Sequence, residues 1–167
     1  GLKGARLVLF VGRMAANKRP DILIEALALL KDEAPATHGV FVGYGADAYA
    51  AEVDRLRHAA RALGVADRAH FLGQLDLDQL ADAYRSADML VLPSRHEGFG
   101  IPLREAMACG LPVIAARTTA LPETLGDAGL TFAPDDACDL ARQMRRVFDE
   151  RAAAPDADAA RVQQRTG

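Results

Sequence analysis

The stretch Asp88-Met-Leu-Val-Leu-Pro-Ser-Arg-His-Glu-Gly-Phe-Gly-Ile-Pro-Leu-Arg-Glu-Ala-Met-Ala-Cys-Gly-Leu-Pro-Val-Ile-Ala115 holds two apolar runs, Asp88 to Pro93 and Pro112 to Ala115, each bounded by turn formers and of strand length. Between them lie a loop carrying Glu97, Gly98, Phe99 and Gly100 and a short helix. The helix begins around Ile101 or Pro102, where a proline suits the first turn, and Gly110 stops it. Glu105 is placed in that first turn, beside the free amide donors of a helix N-terminus. Two carboxylates and several backbone amides thus gather at the carboxyl end of a strand, where open α/β sheets bind ligands. Taken singly, the glutamate also reads as a dipole partner and the glycine loop as a turn.

The flanking sequence repeats this strand-then-helix rhythm. Arg6 to Val11 is a first apolar run, ended by Gly12; a loop through Arg13 and Lys18 leads to a helix starting at Pro20, with Ile22, Leu23, Ala26, Leu27 and Leu30 on one face. Gly39 to Gly43 reads as a second strand, Gly43-Tyr-Gly45 as a turn, and Ala46 to Leu63 as a helix closed by Gly64. Ala69 to Gly73 is a third strand, followed by a helix that Asp76 or Asp78 would cap or charge. Gly129 to Phe132 is a last strand and Asp136 to Arg151 a helix. Six strand candidates alternating with helices predict an α/β, Rossmann-like parallel sheet with helices on both faces. With the order 3-2-1-4-5-6, the loops after strands 1 and 4 flank the switch point, bringing Arg13, Lys18, Glu97 and Glu105 together.

Composition narrows the function classes. The chain has 167 residues, half of them apolar, enough for one domain with a substantial core. A net charge of −3 without a long basic run argues against nucleic acid and anionic membranes as partners. Cys109 and Cys138 are too few and too scattered for a disulfide framework or a zinc site; both are expected to pack as small apolar groups in a reducing cytoplasm. No apolar run approaches the roughly 20 residues of a membrane span. Neither Gly12 nor Gly43 opens a dinucleotide-binding G-x-G-x-x-G. Asp76-x-Asp78 has the spacing of a metal-binding D-x-D, but both aspartates sit where a helix start wants anions, and no metal is expected.

The string Glu97-Gly-Phe-Gly, the seven residues separating Glu97 from Glu105, and the ending Glu105-Ala-Met-Ala-Cys-Gly-Leu-Pro-Val-Ile resemble the E-x7-E signature of retaining glycosyltransferases of the GT-B fold, family 4. Val11, Gly12, Arg13 and Lys18 match that family's V-G-R-x4-K pattern, and Leu121-Pro-Glu123 its L-P-E element. The resemblance runs from Val8 to about Phe148 and covers one half of such an enzyme, its C-terminal, donor-binding domain. It implies residues 1–151 as a nucleotide-sugar-binding domain, 152–167 as a polar helix or frayed tail, and an N-terminal acceptor domain absent from this chain, which begins with Gly1 rather than Met.

By the same resemblance, Arg13 and Lys18 hold the donor's diphosphate, Glu105 the ribose hydroxyls, and Glu97 the transferred sugar and the charge developing at its anomeric carbon. Arg13, Lys18 and Glu97 are the catalytic candidates, and Gly43, Gly45, Gly98, Phe99, Gly100, Ile101 and Thr118 complete the binding set, with Thr119, Glu123 and His96 nearby. No cofactor is implied, since the nucleotide sugar is a substrate, with GDP-mannose the first guess and UDP-sugars close behind. The acceptor, a glycan or lipid, would dock on the absent half, which would also carry any peripheral contact with the inner membrane face. Three other readings stand beside this one: a sugar-nucleotide-binding module without turnover, a GT-B epimerase or phosphorylase, and a response-regulator-like domain. No acidic pair follows the first strand, which disfavours the last.

Overall fold

The computed structural model describes residues 4–43, 50–96, 100–118 and 121–153. Six parallel strands, β1 (Arg6–Val11), β2 (Thr37–Val42), β3 (Ala69–Gly73), β4 (Met89–Leu92), β5 (Val113–Ala116) and β6 (Leu130–Phe132), form one sheet in the order β3-β2-β1-β4-β5-β6. The expected strand order is therefore present. Helices α1 (Pro20–Leu29), α2 (Ala50–Ala62), α3 (Leu77–Ser86), α4 (Ile101–Ala108), α5 (Leu121–Leu125) and α6 (Ala137–Ala153) connect and flank it.

The strands read as unbroken apolar runs because both faces are covered. Successive side chains alternate across the sheet. Val8 and Phe10 of β1, Met89 and Val91 of β4, and Ile114 and Ala116 of β5 enter one core with α1, α2 and α6. Their neighbours Leu9, Leu90, Leu92, Val113 and Ala115 enter the other, with Tyr84 of α3, Leu103 of α4 and Leu121 of α5. Each fully buried leucine or phenylalanine contributes about 1.5–3 kcal/mol of transfer free energy, so this two-sided burial dominates stability.

Polar anchors fix the ends of the sheet. Asp88, just before β4, accepts from the Leu7 amide at 2.7 Å, and Arg151 of α6 donates to the Asp88 carbonyl at 2.6 Å, tying the last helix to the amino edge. Asp139 is 6% exposed in the first turn of α6. It accepts from the Ala133 amide at 2.7 Å and from Gln143 at 3.2 Å. These bonds, the Ala133 amide first, hold its carboxyl below the ordinary aspartate range. Because the folded pKa is depressed, the stabilisation is fully present above the unfolded value of about 3.9 and disappears as pH falls through the folded pKa. Asp139→Asn is expected to lower stability by about 1–2 kcal/mol at neutral pH, the exposed arginines around it adding little. In urea melts the gap to the unsubstituted chain should close below about pH 4.

Four expectations need correction. α4 begins at Ile101 after a left-handed Gly100 (φ 56°), so Glu105 falls in its second turn and not its first. Cys109 packs beside the second core as expected, but Cys138 is exposed, because it lies on the outer side of α6 while Leu140 and Ala141 turn inward. β2 begins two residues before Gly39, at Thr37. α6 continues to Ala153, beyond the expected Arg151, and residues 154–167 lie outside the described set.

Candidate functional site

A cavity of about 720 Å³ opens at the carboxyl edge of the sheet, above β1 and β2 and beside α4. Val11, Gly12, Arg13, Asn17 and Lys18 line it from the β1–α1 connection. Gly43 contributes from the end of β2, and His96, Gly100, Ile101, Pro102 and Glu105 from the β4–α4 side. The remaining wall is Gln74 and Leu75 after β3, with Leu77 and Leu80 of α3. The switch point between β1 and β4 thus brings together four stretches distant in sequence.

Backbone geometry lets these loops approach. Gly43 has φ 146°, and a Cβ built there would lie 1.8 Å from the Gly12 carbonyl oxygen. Only a residue without a side chain fits where the ends of β1 and β2 meet. The Gly43 amide donates to the Gly73 carbonyl at 2.9 Å and the Gly12 amide to the Val42 carbonyl at 2.9 Å, which stitches the three strand ends into one floor.

The β1–α1 loop is held from the side as well. A short 3-10 turn, Ala16–Lys18, ends at Arg19, whose left-handed backbone (φ 52°) starts α1 with Pro20 next in line. The Arg19 guanidinium binds Asp21 at 3.1 Å and also Asp135, in the connection before α6. The hydrogen bond that Arg19 donates to Asp21 is the main cause of its raised pKa, and it stays cationic throughout. Asp135 in turn accepts from Arg95 at 3.0 Å, and the Arg95 amide donates to the Asn17 carbonyl at 2.9 Å. The two loops that reach the cavity from β1 and β4 are therefore locked to each other.

Glu105 enters the cavity from α4 and is half-buried. Its Oε2 accepts from the hydroxyl of Tyr84 at 2.7 Å. Thr118 is not among the residues lining the cavity: its hydroxyl donates to the Ser94 carbonyl at 2.6 Å, supporting the β4–α4 loop from behind. Glu123 is exposed on α5. Gly45, Glu97, Gly98, Phe99 and Thr119 lie outside the described residues.

Arg13, Lys18, Gly43, Gly100, Ile101, Glu105 and His96 share this cavity. Sequence reasoning missed the wall made by Leu75, Leu77 and Leu80, and the Tyr84 partner of Glu105. Leu77 is 84% exposed although it opens a capped helix, a feature that hydrophobic periodicity does not reveal. Asp76 caps α3 by accepting from the Gln79 amide at 2.8 Å. Among the described residues no group of three or more His, Cys, Asp or Glu side chains is arranged around a common metal position.

The site combines two cations, an apolar wall and a carboxylate held by a buried phenol. Such a set suits a ligand with an anionic middle, a flat apolar end and vicinal hydroxyls.

Residues 2–164 match the sequence model of a family described as Glycosyl transferases group 1. A D-inositol 3-phosphate glycosyltransferase of Mycolicibacterium gilvum is 43% identical over 123 residues, 74% of this chain and 27% of that protein. The chain spans about a third of the length of the curated relatives it matches. Among solved structures, HepE of Anabaena in complex with UDP superposes with a TM-score of 0.80 at 29% identity, over 90% of this chain and 41% of that one. The C-terminal domain of a glycosyl transferase group 1 family protein from Francisella tularensis gives a TM-score of 0.75 at 25% identity, over 87% of this chain and 75% of that one.

Proposed function

The chain belongs to the glycosyl transferases group 1 family, and from that premise we propose that it is the donor-binding half of a family 4 retaining glycosyltransferase, holding a nucleoside diphosphate sugar in the cavity above β1 and β2. The observation that carries this reading is the convergence of Arg13, Lys18 and Glu105 on one cavity with an apolar wall at the switch point. The two cations face the diphosphate, Glu105 takes the ribose diol, and Leu75, Leu77 and Leu80 lie along the base. Each charge-assisted hydrogen bond from Arg13 or Lys18 to phosphate is worth about 1.5–3 kcal/mol.

The chemical step is departure of the diphosphate from the anomeric carbon. The acceptor oxygen bonds that carbon on the same face, the diphosphate leaves with the electron pair of the broken bond, and the acceptor proton passes to it. Charge grows on the leaving oxygen, so cations already aimed there lower the barrier with no metal in the step. Glu97 is assigned to the transferred sugar on its place in the motif alone. The acceptor docks on a second domain, and the transferring enzyme works at the cytoplasmic face. UDP is the favoured nucleotide, since a structural neighbour was solved with UDP, and GDP-mannose is the competing donor.

Calorimetric titration with UDP, UDP-glucose, GDP, GDP-mannose and UMP tests the reading. One diphosphate series should bind with a Kd between about micromolar and millimolar, and its monophosphate at least about tenfold more weakly. UMP binding as tightly as UDP, or absence of binding by every nucleotide at millimolar concentration, contradicts it.

A further inference from the structure

Tyr84 stands beneath the candidate site without lining it. Leu77, Leu80 and Tyr84 follow one another on α3 at spacings of three and four, and so share one helical face. The first two wall the cavity, and the third is 2% exposed beneath it. Its hydroxyl reaches across to α4 and donates to Glu105 Oε2 at 2.7 Å, a short charge-assisted bond. Burial, then the bond to Glu105, push the phenol well above its ordinary pKa, so it remains a neutral donor at every working pH.

A carboxylate has two oxygens with about four acceptor positions in all. With one oxygen engaged by Tyr84, rotation of the group is restricted and its remaining acceptor capacity is set in one orientation toward the cavity that Glu105 lines. We infer that Tyr84 is a positioning residue for ribose recognition: it fixes the Glu105 carboxylate so that the site discriminates a nucleotide with a ribose diol from one without. This inference rests on the reading of Glu105 as the diol acceptor. It gives α3 two tasks, presenting the apolar wall with its first turn and orienting the carboxylate with its last.

A merely structural tyrosine would change stability and leave ligand discrimination alone. The test is therefore a ratio, the Kd of 2′,3′-dideoxy-UDP over that of UDP, measured by calorimetry on the unsubstituted chain, Tyr84→Phe and Glu105→Gln. The unsubstituted chain should favour UDP by about 30-fold or more, the equivalent of about 2 kcal/mol. Tyr84→Phe keeps the ring and loses the donor; it should weaken UDP binding by about tenfold and leave dideoxy-UDP within about twofold. A ratio lost in Glu105→Gln but intact in Tyr84→Phe overturns the positioning role and leaves the diol assignment standing. An unsubstituted chain that binds both nucleotides equally overturns both.

Should Tyr84→Phe fail to fold, fluorotyrosine labelling retains the hydroxyl, and the chain has only three tyrosines. The fluorine resonance of Tyr84 should move on addition of UDP and move less with dideoxy-UDP. Equal shifts with both overturn the inference.

Discussion

Replacing Lys18 or Arg13 with alanine is expected to weaken UDP binding by about 10- to 150-fold each, the range set by one charge-assisted hydrogen bond to phosphate. Lys18 is half-buried at the end of the 3-10 turn and Arg13 is exposed, so the lysine should fall nearer the upper bound and the arginine nearer the lower. Binding of uridine, which lacks phosphate, should change by less than about twofold in either variant. The loss should also shrink as salt is raised, since an exposed cation is screened beyond about 8–10 Å at physiological ionic strength. Calorimetry at two salt concentrations reads all of this. Equal losses for UDP and uridine would mean that the substitutions damaged the loop rather than the phosphate contact.

The second large effect concerns the fold of the site rather than its charges. Gly43→Ala should cost about 2–5 kcal/mol, through backbone strain at φ 146° and the 1.8 Å approach of the new Cβ to the Gly12 carbonyl. Against a total stability of about 5–15 kcal/mol this is a large fraction. The overlap is with backbone, so relief requires moving the β1–α1 loop, which carries Arg13 and Lys18. Nucleotide binding should therefore fall even in the fraction that remains folded. Gly64→Ala is the control: Gly64 also has positive φ, at 72°, but a Cβ there meets nothing within 4 Å. It should cost only about 1–2 kcal/mol, the penalty of the left-handed region. Equal midpoint shifts for the two variants in urea unfolding would show that the loop contact is unimportant.

The fold was legible because each strand is an apolar run between turn formers, and an alternating pattern of strands and helices has few ways to close a parallel sheet. Arg6 to Val11 and Asp88 to Pro93 announced the two strands that flank the switch point; the order was supposed from the common doubly wound arrangement, and the sheet has it. Arg13, Lys18 and Glu105 were legible as a set because they match the motifs of the resembled family, in the loops and helix that follow β1 and β4.

Side-chain partnerships across elements were not legible. Arg19 and Asp135 are joined over 116 positions, and nothing in either neighbourhood names the other. Tyr84 falls within the helix expected after the third strand, and its acceptor became visible only with α3 and α4 packed side by side. The helix start itself was legible, at Ile101, but Glu105 is the fifth residue from it, and at 3.6 residues per turn it belongs to the second turn and not to the amide donors of the first. Leu77 was missed because an exposed leucine at a helix start is chemically mute until a cavity lies beside it.

The central claim is that a nucleoside diphosphate occupies the carboxyl-edge cavity. Amide NMR spectra of the isotope-labelled chain, titrated with UDP, test it most directly. The amides of Gly12, Arg13, Gly43, Leu75 and Glu105 should shift together along one binding curve, while those of Gly110, Asp127 and Gly129, which line a groove of about 640 Å³ elsewhere on the molecule, should stay in place. Shifts confined to that other groove, or a spectrum unchanged at saturating UDP, would contradict the account.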